Sequence, residues 1–413
     1  MIGRVALLVT FKEAEPKSQS LSRSHIRDLY AIENQMTKTK SQILLSLIFL
    51  SSFAFSQSNE PIDCESFNDA INQGDKPTSL FIVDSTITEV SDSIFLIQNL
   101  QEITFYECFN LNLEILFNDL SKITSLKVLS VAESRISSVP KNVSLLNQLE
   151  DLDFSYNNIH TFPDGILNLQ SLRRLNFFDN HITQINCTNQ NLKKLEYINL
   201  CYNDFLEFPY ELSKIQKLQT IRIWGNEISQ LNNSIGEFKK LTELNIQYNK
   251  INRISRNIMQ CDSLKTLSIG RNKLKSKEFK ILCLIPNLEK LSLNGNPIKK
   301  VPKQIDNLNK LKDLSLSKTE ITKIPIEFKN LGNLEQLGIG KLSLTNWEET
   351  FEILSQIPSL RRVGMYSMNK TKMPVGFAKL QQVDTFWLTF NSFDYNERKR
   401  IESLVPNADI TFD

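Results

Sequence analysis

The chain has little of what catalysis and metal binding usually require. Its 413 residues include three histidines, of which only His160 and His181 follow residue 56. No P-loop, dinucleotide-binding fingerprint, serine-nucleophile motif or zinc-protease motif occurs. Scattered carboxylates such as Asp151 and Asp153 are explained by a solvated surface. The sequence therefore predicts a protein that is not an enzyme and that holds no cofactor or metal.

An excess of charge of one sign is lacking as well. The chain has 48 Lys or Arg residues against 46 Asp or Glu residues, and residues 1–56 hold 7 of the former and 4 of the latter. Residues 57–413 thus carry 41 basic against 42 acidic side chains, a formal charge of −1. Nucleic-acid binding relies on a Lys/Arg stripe, and this balance indicates none. We therefore expect neither a nucleic-acid partner nor a generally anionic one.

The most apolar stretch, residues 43–55, is too short to span a bilayer. Lys38 and Lys40 precede it, and small residues close it at Ala54 and Ser56. This order predicts a secretory signal peptide at residues 36–56, cleaved after Ser56, and a secreted, periplasmic or cell-envelope location without a transmembrane span in the mature chain. A short membrane anchor and a leader that is never removed are the alternatives.

What the chain does have is a repeat. Apolar residues at steps 0, 3 and 5 recur fourteen times between residues 77 and 405, mostly 23 residues apart, and most units have a small polar residue at step 8. Leu149, Leu152, Phe154 and Asn157 show the unit most clearly. The step-0 residues are Pro77, Leu100, Leu126, Leu149, Leu172, Leu195, Leu218, Leu241, Leu264, Leu288, Leu311, Leu334, Leu360 and Val383. Such self-similarity indicates a solenoid, whose function must be sought on a repeated surface.

Two features of the unit predict how each coil folds. Residues at steps 3 and 5 leave the same face of a short strand, so both point inward. Step 8 follows the strand, where an asparagine has both a donor and an acceptor for peptide groups that the turn leaves unpaired. Seven consecutive coils place asparagine at this step, namely Asn157, Asn180, Asn203, Asn226, Asn249, Asn272 and Asn296. We expect a buried structural ladder that becomes less regular near the C-terminus, where Leu342 and Met368 stand at step 8.

This pattern resembles the leucine-rich-repeat family, in its 23-residue class L-x-x-L-x-L-x-x-N-x-L-x-x-L-P, over residues 77–413. The resemblance implies an α/β fold, a horseshoe-shaped solenoid with a concave parallel β-sheet, about fourteen repeats and a slim convex side with a few helical turns. It also implies a curved protein-binding scaffold of the exported bacterial type. It names no particular partner.

The back of the coils is predicted to alternate between slim and helical segments. Six prolines at step 14 fix the backbone there and favour slim coils: Pro140, Pro163, Pro209, Pro302, Pro325 and Pro374. Helical spacing of apolar residues instead predicts helices within residues 276–285, 346–357 and 394–405. Asn346 and Glu349 are spaced as a capping box for the second of these.

Both ends of the solenoid are expected to be capped. Residues 57–76 are predicted to form an N-terminal cap with an amphipathic helix at residues 62–73. The repeats occupy residues 77–405, and residues 406–413 are predicted to form a closing strand, since Ile410 and Phe412 alternate with polar residues. Residues 1–35 lack repeats and are expected to be an unstructured leader or an over-extended start.

Six cysteines in an exported chain suggest disulfides, yet their positions in the repeat favour isolated thiols. Cys108 and Cys261 occupy interior positions. Cys187 falls on the back of its coil and Cys201 on the strand face of the next, so a bond between them would have to pass through the core. No zinc-type spacing or disulfide framework is present.

Aromatic residues on the concave face are the best candidates for a binding site. Five successive coils place a ring at step 6 or 7, and one adds a ring at step 2; these predicted partner-binding residues are Tyr156, Phe178, Tyr202, Trp224, Tyr248 and Tyr197. Large rings on an open face usually serve recognition. Packing of the tyrosines over their own strands is the alternative. Tyr366, Trp387 and Phe390 form a second group, and small residues lie between the two groups.

Two kinds of partner fit this surface. A protein ligand would be gripped through the concave sheet, with Phe178, Tyr202 and Trp224 as anchors. A glycan would stack on the same rings while polar neighbours bind its hydroxyls, namely Asp151, Asp153, Asn176, Asn199 and Arg222. A wide sheet offers the compact pocket that a sugar needs less readily. If the leader is retained, an intracellular signalling scaffold becomes the better interpretation.

Overall fold

The computed structural model describes residues 62–63, 78–97, 99–186 and 192–413. Eighteen short strands occur in these ranges. They are, in chain order, β1 Ile62–Asp63, β2 Ser79–Val83, β3 Glu102–Tyr106, β4 Val128–Ala132, β5 Asp151–Asp153, β6 Arg174–Asn176, β7 Tyr197–Asn199, β8 Thr220–Arg222, β9 Gln230–Leu231, β10 Glu243–Asn245, β11 Arg253–Ile254, β12 Thr266–Ser268, β13 Lys290–Ser292, β14 Asp313–Ser315, β15 Gln336–Gly338, β16 Arg362–Gly364, β17 Thr385–Trp387 and β18 Asp409–Thr411. All but β9 and β11 form one parallel sheet in chain order.

The register of the sheet follows the repeat. Leu152 pairs with Leu175, and Leu175 pairs with Ile198, so equal steps of successive coils lie opposite each other. The residues at steps 0, 3 and 5 are almost all buried and form one continuous core. The predicted leucine-rich-repeat solenoid with a parallel sheet is therefore confirmed.

The convex side is built from short helical turns. Nine 3-10 helices lie in the described ranges: Asp92–Leu96, Lys141–Leu145, Asp164–Asn168, Tyr210–Lys214, Asn233–Glu237, Arg256–Gln260, Lys303–Asn307, Ile326–Asn330 and Val375–Lys379. Each of the six step-14 prolines stands immediately before one of them. Strands β9 and β11 pair with each other on this side. A proline with fixed φ thus starts a tight turn that keeps the coil slim.

Four coils carry α-helices instead: α1 Leu113–Leu120, α2 Ser276–Leu282, α3 Trp347–Ser355 and α4 Tyr395–Leu404. The last three lie where the apolar spacing predicts helices. At the start of α3, the Asn346 side chain accepts a hydrogen bond from the Glu349 amide at 3.0 Å. The first helix was not expected, although its buried residues Leu113, Leu116, Phe117 and Leu120 have helical spacing.

The predicted N-terminal helix is wrong at its first two residues. Ile62 and Asp63 are extended and pair in parallel with Leu80 and Phe81. Backbone pairing with the open edge of the sheet outweighs the local amphipathic pattern there. Residues 64–73, and the predicted leader and signal peptide, lie outside the described residues.

The C-terminal end of the sheet is covered by β18, which pairs with β17. Ile410 and Phe412 pack against the core, and the Phe412 ring lies 6.4 Å from that of Phe393. Asp409 and Thr411 on the same strand are exposed. The alternation of apolar and polar residues thus matches a strand that closes the core.

The step-8 asparagines are buried and link successive coils. The Asn226 side-chain oxygen accepts a hydrogen bond from the Phe205 amide at 3.1 Å. Its amide nitrogen donates to the Leu200 carbonyl at 3.0 Å and to the Ile223 carbonyl at 3.2 Å. The same contacts recur at the other ladder asparagines, for example at Asn272. Each buried side chain thus satisfies peptide groups of two successive coils.

Four cysteines in the described ranges, Cys108, Cys201, Cys261 and Cys283, are buried free thiols. Cys64 and Cys187 lie outside the described residues. None of the helices described here has the length and apolar character needed to cross a membrane.

Candidate functional site

Five rings form a continuous row along one side of the concave face, which we call the aromatic ridge: Tyr156, Phe178, Tyr202, Trp224 and Tyr248. The tyrosines stand at step 7, where the backbone adopts left-handed φ values of 50 to 56° to leave the strand. Phe178 and Trp224 stand one residue earlier. Because neighbouring strands are spaced by roughly 4.8 Å, rings at steps 6 and 7 of successive coils come within contact distance.

Each ring of the ridge contacts the next. The centroid distances are 5.0 Å from Tyr156 to Phe178, 5.3 Å from Phe178 to Tyr202, 4.4 Å from Tyr202 to Trp224, and 6.0 Å from Trp224 to Tyr248. Tyr156 and Tyr248, at the two ends, are 45% and 42% exposed. The three inner rings are half-buried. The aromatic ridge therefore combines rings that pack against each other with ring surface that is exposed to solvent.

Tyr197 belongs to a different row, at step 2 in the middle of the strands. Its ring lies 4.7 Å from the Arg174 guanidinium and 5.6 Å from that of Arg222. Arg174 is also 3.4 Å from an Asp151 carboxylate oxygen, and Arg222 is 3.4 Å from one of Glu243. Burial raises the pKa of Tyr197, so its hydroxyl stays protonated. The predicted group of six aromatics is thus a ridge of five rings and one separate cation–π cluster.

Carboxyl groups gather at the N-terminal end of the concave face. Burial raises the pKa of Asp151 to about 7, against the opposing effect of Arg174. Burial also raises the pKa of Asp153 and of Glu102. Hydrogen bonds from Ser155 to Asp153 and from Ser79 to Glu102 act in the opposite direction. These carboxyls are not ordinary solvated surface groups.

Three polar side chains of the face are already occupied by their own chain. Asp153 accepts a hydrogen bond from the Ser155 amide at 2.8 Å. Asn176 accepts from the Phe178 amide at 3.1 Å, and Asn199 accepts from the Cys201 amide at 3.2 Å. These hydrogen bonds stabilise the backbone where it leaves each strand.

Beyond the ridge the concave face has little relief. Gly270 is so close to Asn294 that an added Cβ would stand 2.1 Å from the Asn294 side-chain oxygen. At Gly340 a Cβ would stand 2.5 Å from the Tyr366 ring. The second aromatic group follows, with Tyr366 and Trp387 half-buried and Phe390 70% exposed. Glycine at these two positions leaves room for the Asn294 and Tyr366 side chains.

The two histidines of the described ranges lie side by side, and the cysteines of these ranges are buried. His160 and His181 stack with ring centroids 5.1 Å apart, and His181 Nδ1 is 3.0 Å from an Asp204 oxygen. Burial raises the pKa of Cys261 to about 11 and that of Cys283 to about 12, which leaves both thiols unreactive at neutral pH. Within the described ranges no three His, Cys, Asp or Glu side chains are placed to hold a metal ion.

A row of alternating charges at step 1 was missed from the sequence. Glu150 lies 3.6 Å from Lys127 and 3.4 Å from Arg173, which is 3.1 Å from Glu196. A second run places Glu289 between Lys265 and Lys312 at 3.2 and 2.8 Å. In the sequence, the pattern that could have revealed this row is a charge at step 1 that changes sign from one repeat to the next. Exposed pairs of this kind contribute about 0–1 kcal/mol each, so the row adds little to the stability of the fold.

The expectation that the solenoid has no Lys/Arg stripe is wrong for one part of the chain. Residues 250–303 contain 13 Lys or Arg residues against 3 Asp or Glu residues, a formal charge of +10. The balance over residues 57–413 conceals this excess because the compensating acidic residues lie in other coils.

Comparison with known proteins agrees with the fold. The leucine rich repeat family matches residues 124–182, 216–274 and 286–341. A search of curated proteins gives no match. A leucine-rich-repeat protein of Leptospira interrogans is 20% identical, with a TM-score of 0.66 over 86% of this chain and 100% of that one. An internalin of Listeria monocytogenes is 18% identical, with a TM-score of 0.59 over 81% and 86% of the two chains.

A plant peptide hormone receptor in complex with RGF2 is also similar, at 18% identity and a TM-score of 0.50 over 76% of this chain and 63% of that one. Identities this low show the fold alone. Together with the asparagine ladder, the sixteen-stranded parallel sheet and the family match, they show that the chain contains leucine-rich repeats folded as a solenoid.

Proposed function

We propose that this protein is an exported leucine-rich-repeat scaffold that binds a protein partner through its concave face, without catalysis. The observation that carries the proposal is the aromatic ridge, a continuous row of five rings on an open face. Its end members Tyr156 and Tyr248 are more than 40% exposed. Aromatic side chains that remain this accessible are typical anchors of protein interfaces.

The ridge suits a protein ligand better than a glycan. A sugar site needs convergent polar groups with free hydrogen-bonding capacity. Here Asp153, Asn176 and Asn199 accept hydrogen bonds from their own backbone. The similar plant receptor in complex with RGF2 supports a proteinaceous ligand as well. An intracellular signalling scaffold remains the alternative if residues 36–56 are retained.

Site-specific photocrosslinking tests where the partner binds. Benzoylphenylalanine is placed at Tyr156 or Tyr248 in the full chain, and, as a control of matched exposure on the convex side, at Met259, which is 46% exposed. We expect one and the same partner to be captured from both ridge positions and not from Met259. Capture from Met259 alone would show that the partner uses another surface.

Affinity measurements with the purified partner then test the anchors. A buried ring at an interface contributes on the order of 2 kcal/mol or more, so Trp224→Ala and Phe178→Ala should each weaken binding at least about tenfold. Ser292→Ala, in the low-relief part of the face, should leave affinity unchanged. Because the inner rings are half-buried, each variant's Tm is measured in parallel. Normal affinity in both ring variants would refute the role of the ridge.

A further inference from the structure

The basic segment forms one exposed surface on the side of the solenoid where the chain leaves the strands. We call it the basic flank and define it by Arg253, Lys273, Lys275, Lys277 and Lys300, all of them exposed. Lys273 is tied to the previous coil by a hydrogen bond from its amide to the Ile251 carbonyl at 2.8 Å. The Lys300 amide donates to the Ser276 hydroxyl at 2.9 Å, next to Lys275 and Lys277. The five cations therefore lie on three neighbouring coils.

Little on this surface neutralises the five charges. Other lysines nearby have acidic partners, as Lys299 does with Glu320 at 3.9 Å. Within the described ranges the five basic-flank residues form no ion pair. Glu278, the closest carboxylate in sequence, is buried and accepts a hydrogen bond from the Lys275 amide at 3.2 Å. Uncompensated cations on one side attract an anionic partner.

A groove of about 600 Å³ lies in the same surface. Its walls are β9 and β11 on one side and α2 on the other, and its rim carries Arg253 and Lys277. Buried Leu231, Ile254 and Ile281 form its apolar floor. The groove exists because the coil after β11 has a helix where the two preceding coils have short strands.

This change of structure also leaves β11 with a strand neighbour on one side only. Arg253 and Ile254 pair with Gln230 and Leu231 of β9, and no described strand pairs with the other edge of β11. A strand edge of this kind offers main-chain donors and acceptors to an extended polypeptide. Charge, groove and strand edge thus occur together.

We propose that the groove and the basic flank bind an extended acidic polypeptide segment, with its backbone along β11 and its carboxylates at Arg253, Lys273, Lys275, Lys277 and Lys300. The surface fits a nucleic acid or a sulfated glycan less well. Phe279 is the one aromatic residue between positions 250 and 303, and it is buried, so no ring of this segment can stack on a base. Neither a nucleic acid nor a glycan has the main-chain amides that pair with a strand edge. This surface is separate from the concave face and from its proposed partner.

Fluorescence anisotropy with a labelled oligoglutamate tests the proposal on the full chain. The variant replaces Arg253, Lys273, Lys275 and Lys277 with Gln. The matched control replaces four lysines just before strands on the opposite side of the coils, Lys193, Lys194, Lys217 and Lys240, all exposed, with Gln. Both variants lose four positive charges. Because all the replaced side chains are exposed, the Tm of each variant should stay close to that of the native chain.

We expect the basic-flank variant to bind the peptide at least about tenfold more weakly and with a smaller dependence on salt, while the control changes affinity less than about threefold. Trp224→Ala should bind it normally. An equal loss in both quadruple variants would overturn the assignment, because it would show attraction to net charge only.

Three further probes distinguish the class of ligand. An oligoglutamate whose peptide nitrogens are all methylated has no main-chain donor for a strand edge, so it should bind more weakly than unmodified oligoglutamate of the same charge. Equal binding of the two peptides would overturn the pairing with β11. Tighter binding of single-stranded DNA or heparin than of oligoglutamate would overturn the choice of a polypeptide.

Discussion

Gly225 lies directly beneath the ring of Tyr202, so close that an added Cβ would stand 3.0 Å from the ring carbon Cδ1. Gly225 is the step-7 residue of its coil and has a φ of +74°. The neighbouring coils place tyrosine at this step. The missing side chain makes room for the Tyr202 ring to reach Trp224, at 4.4 Å, the shortest ring contact of the ridge.

Gly225→Ala should therefore destabilise the protein and disturb the ridge. Left-handed φ costs an L-residue roughly 1–2 kcal/mol, and the new methyl group would also displace the Tyr202 ring. Gly332→Ala is the matched control, because nothing lies within 4 Å of a Cβ there. Thermal unfolding should show a lower Tm for Gly225→Ala than for the native chain and an unchanged Tm for Gly332→Ala. An unchanged Tm in Gly225→Ala would contradict the close packing of Gly225 and Tyr202.

Asn226→Ala should destabilise far more than Asn110→Ala. Asn226 is 4% exposed, and its loss would leave several buried peptide groups unpaired, at about 1–3 kcal/mol each. Asn110 is exposed and makes one hydrogen bond, to the Ser85 carbonyl at 2.8 Å. Chemical denaturation should separate the two variants by about 2 kcal/mol or more. Equal midpoints would refute the assigned register of the ladder.

The repeat fixes most of the fold because its signals are local and periodic. Leucine at steps 0, 3 and 5 can satisfy burial in one way, and asparagine at step 8 has the donors and acceptor that the turn requires. Asn391 belongs to the ladder as well, although it was overlooked because it lies outside the run of seven consecutive step-8 asparagines. It also stands at step 8, after Leu342 and Met368, and donates to the Met365 carbonyl at 3.0 Å while its oxygen accepts from the Met368 amide at 2.8 Å. The ladder thus resumes in the last repeat.

Features that depend on contacts between coils were harder to predict. Ile62 and Asp63 look helical locally but pair with the edge of the sheet. Phe178 is half-buried because the rings of Tyr156 and Tyr202 pack against it, and the sequence alone does not show these contacts. The basic flank was missed for another reason, because the total charge averages over coils of opposite sign.

Export makes a direct prediction about the mature chain. If residues 36–56 are a cleaved signal peptide, intact mass of the native protein from the envelope or medium should correspond to a chain that begins at Gln57. Replacing Ala54 and Ser56 by bulky residues should block cleavage while leaving translation intact. A cytosolic chain that begins at Met1 or Met36 would refute export and favour the intracellular alternative.

The stability of the protein should also depend on Asp151, whose pKa in the folded chain is about 7 against an ordinary value of 3.8. Burial is the main cause, and Asp153 and Glu102 add to it. Between these two values the folded state binds more protons than the unfolded state. This carboxyl therefore lowers the free energy of unfolding as pH rises from about 4 to about 7, and its effect is constant above that range.

Asp151→Asn should remove this penalty, since an amide imitates the neutral acid. The Asp151 side chain is 20% exposed, so we expect a gain on the order of 2 kcal/mol at pH 8, less than the full pKa difference would give, and little gain at pH 4. Asp384→Asn is the control, because that side chain is 72% exposed and lies 3.8 Å from Arg361. Its stability should follow that of the native chain at both pH values. If Asp151→Asn were destabilised more at pH 8 than at pH 4, the Arg174 ion pair would outweigh burial and the assigned direction of the pKa shift would be wrong.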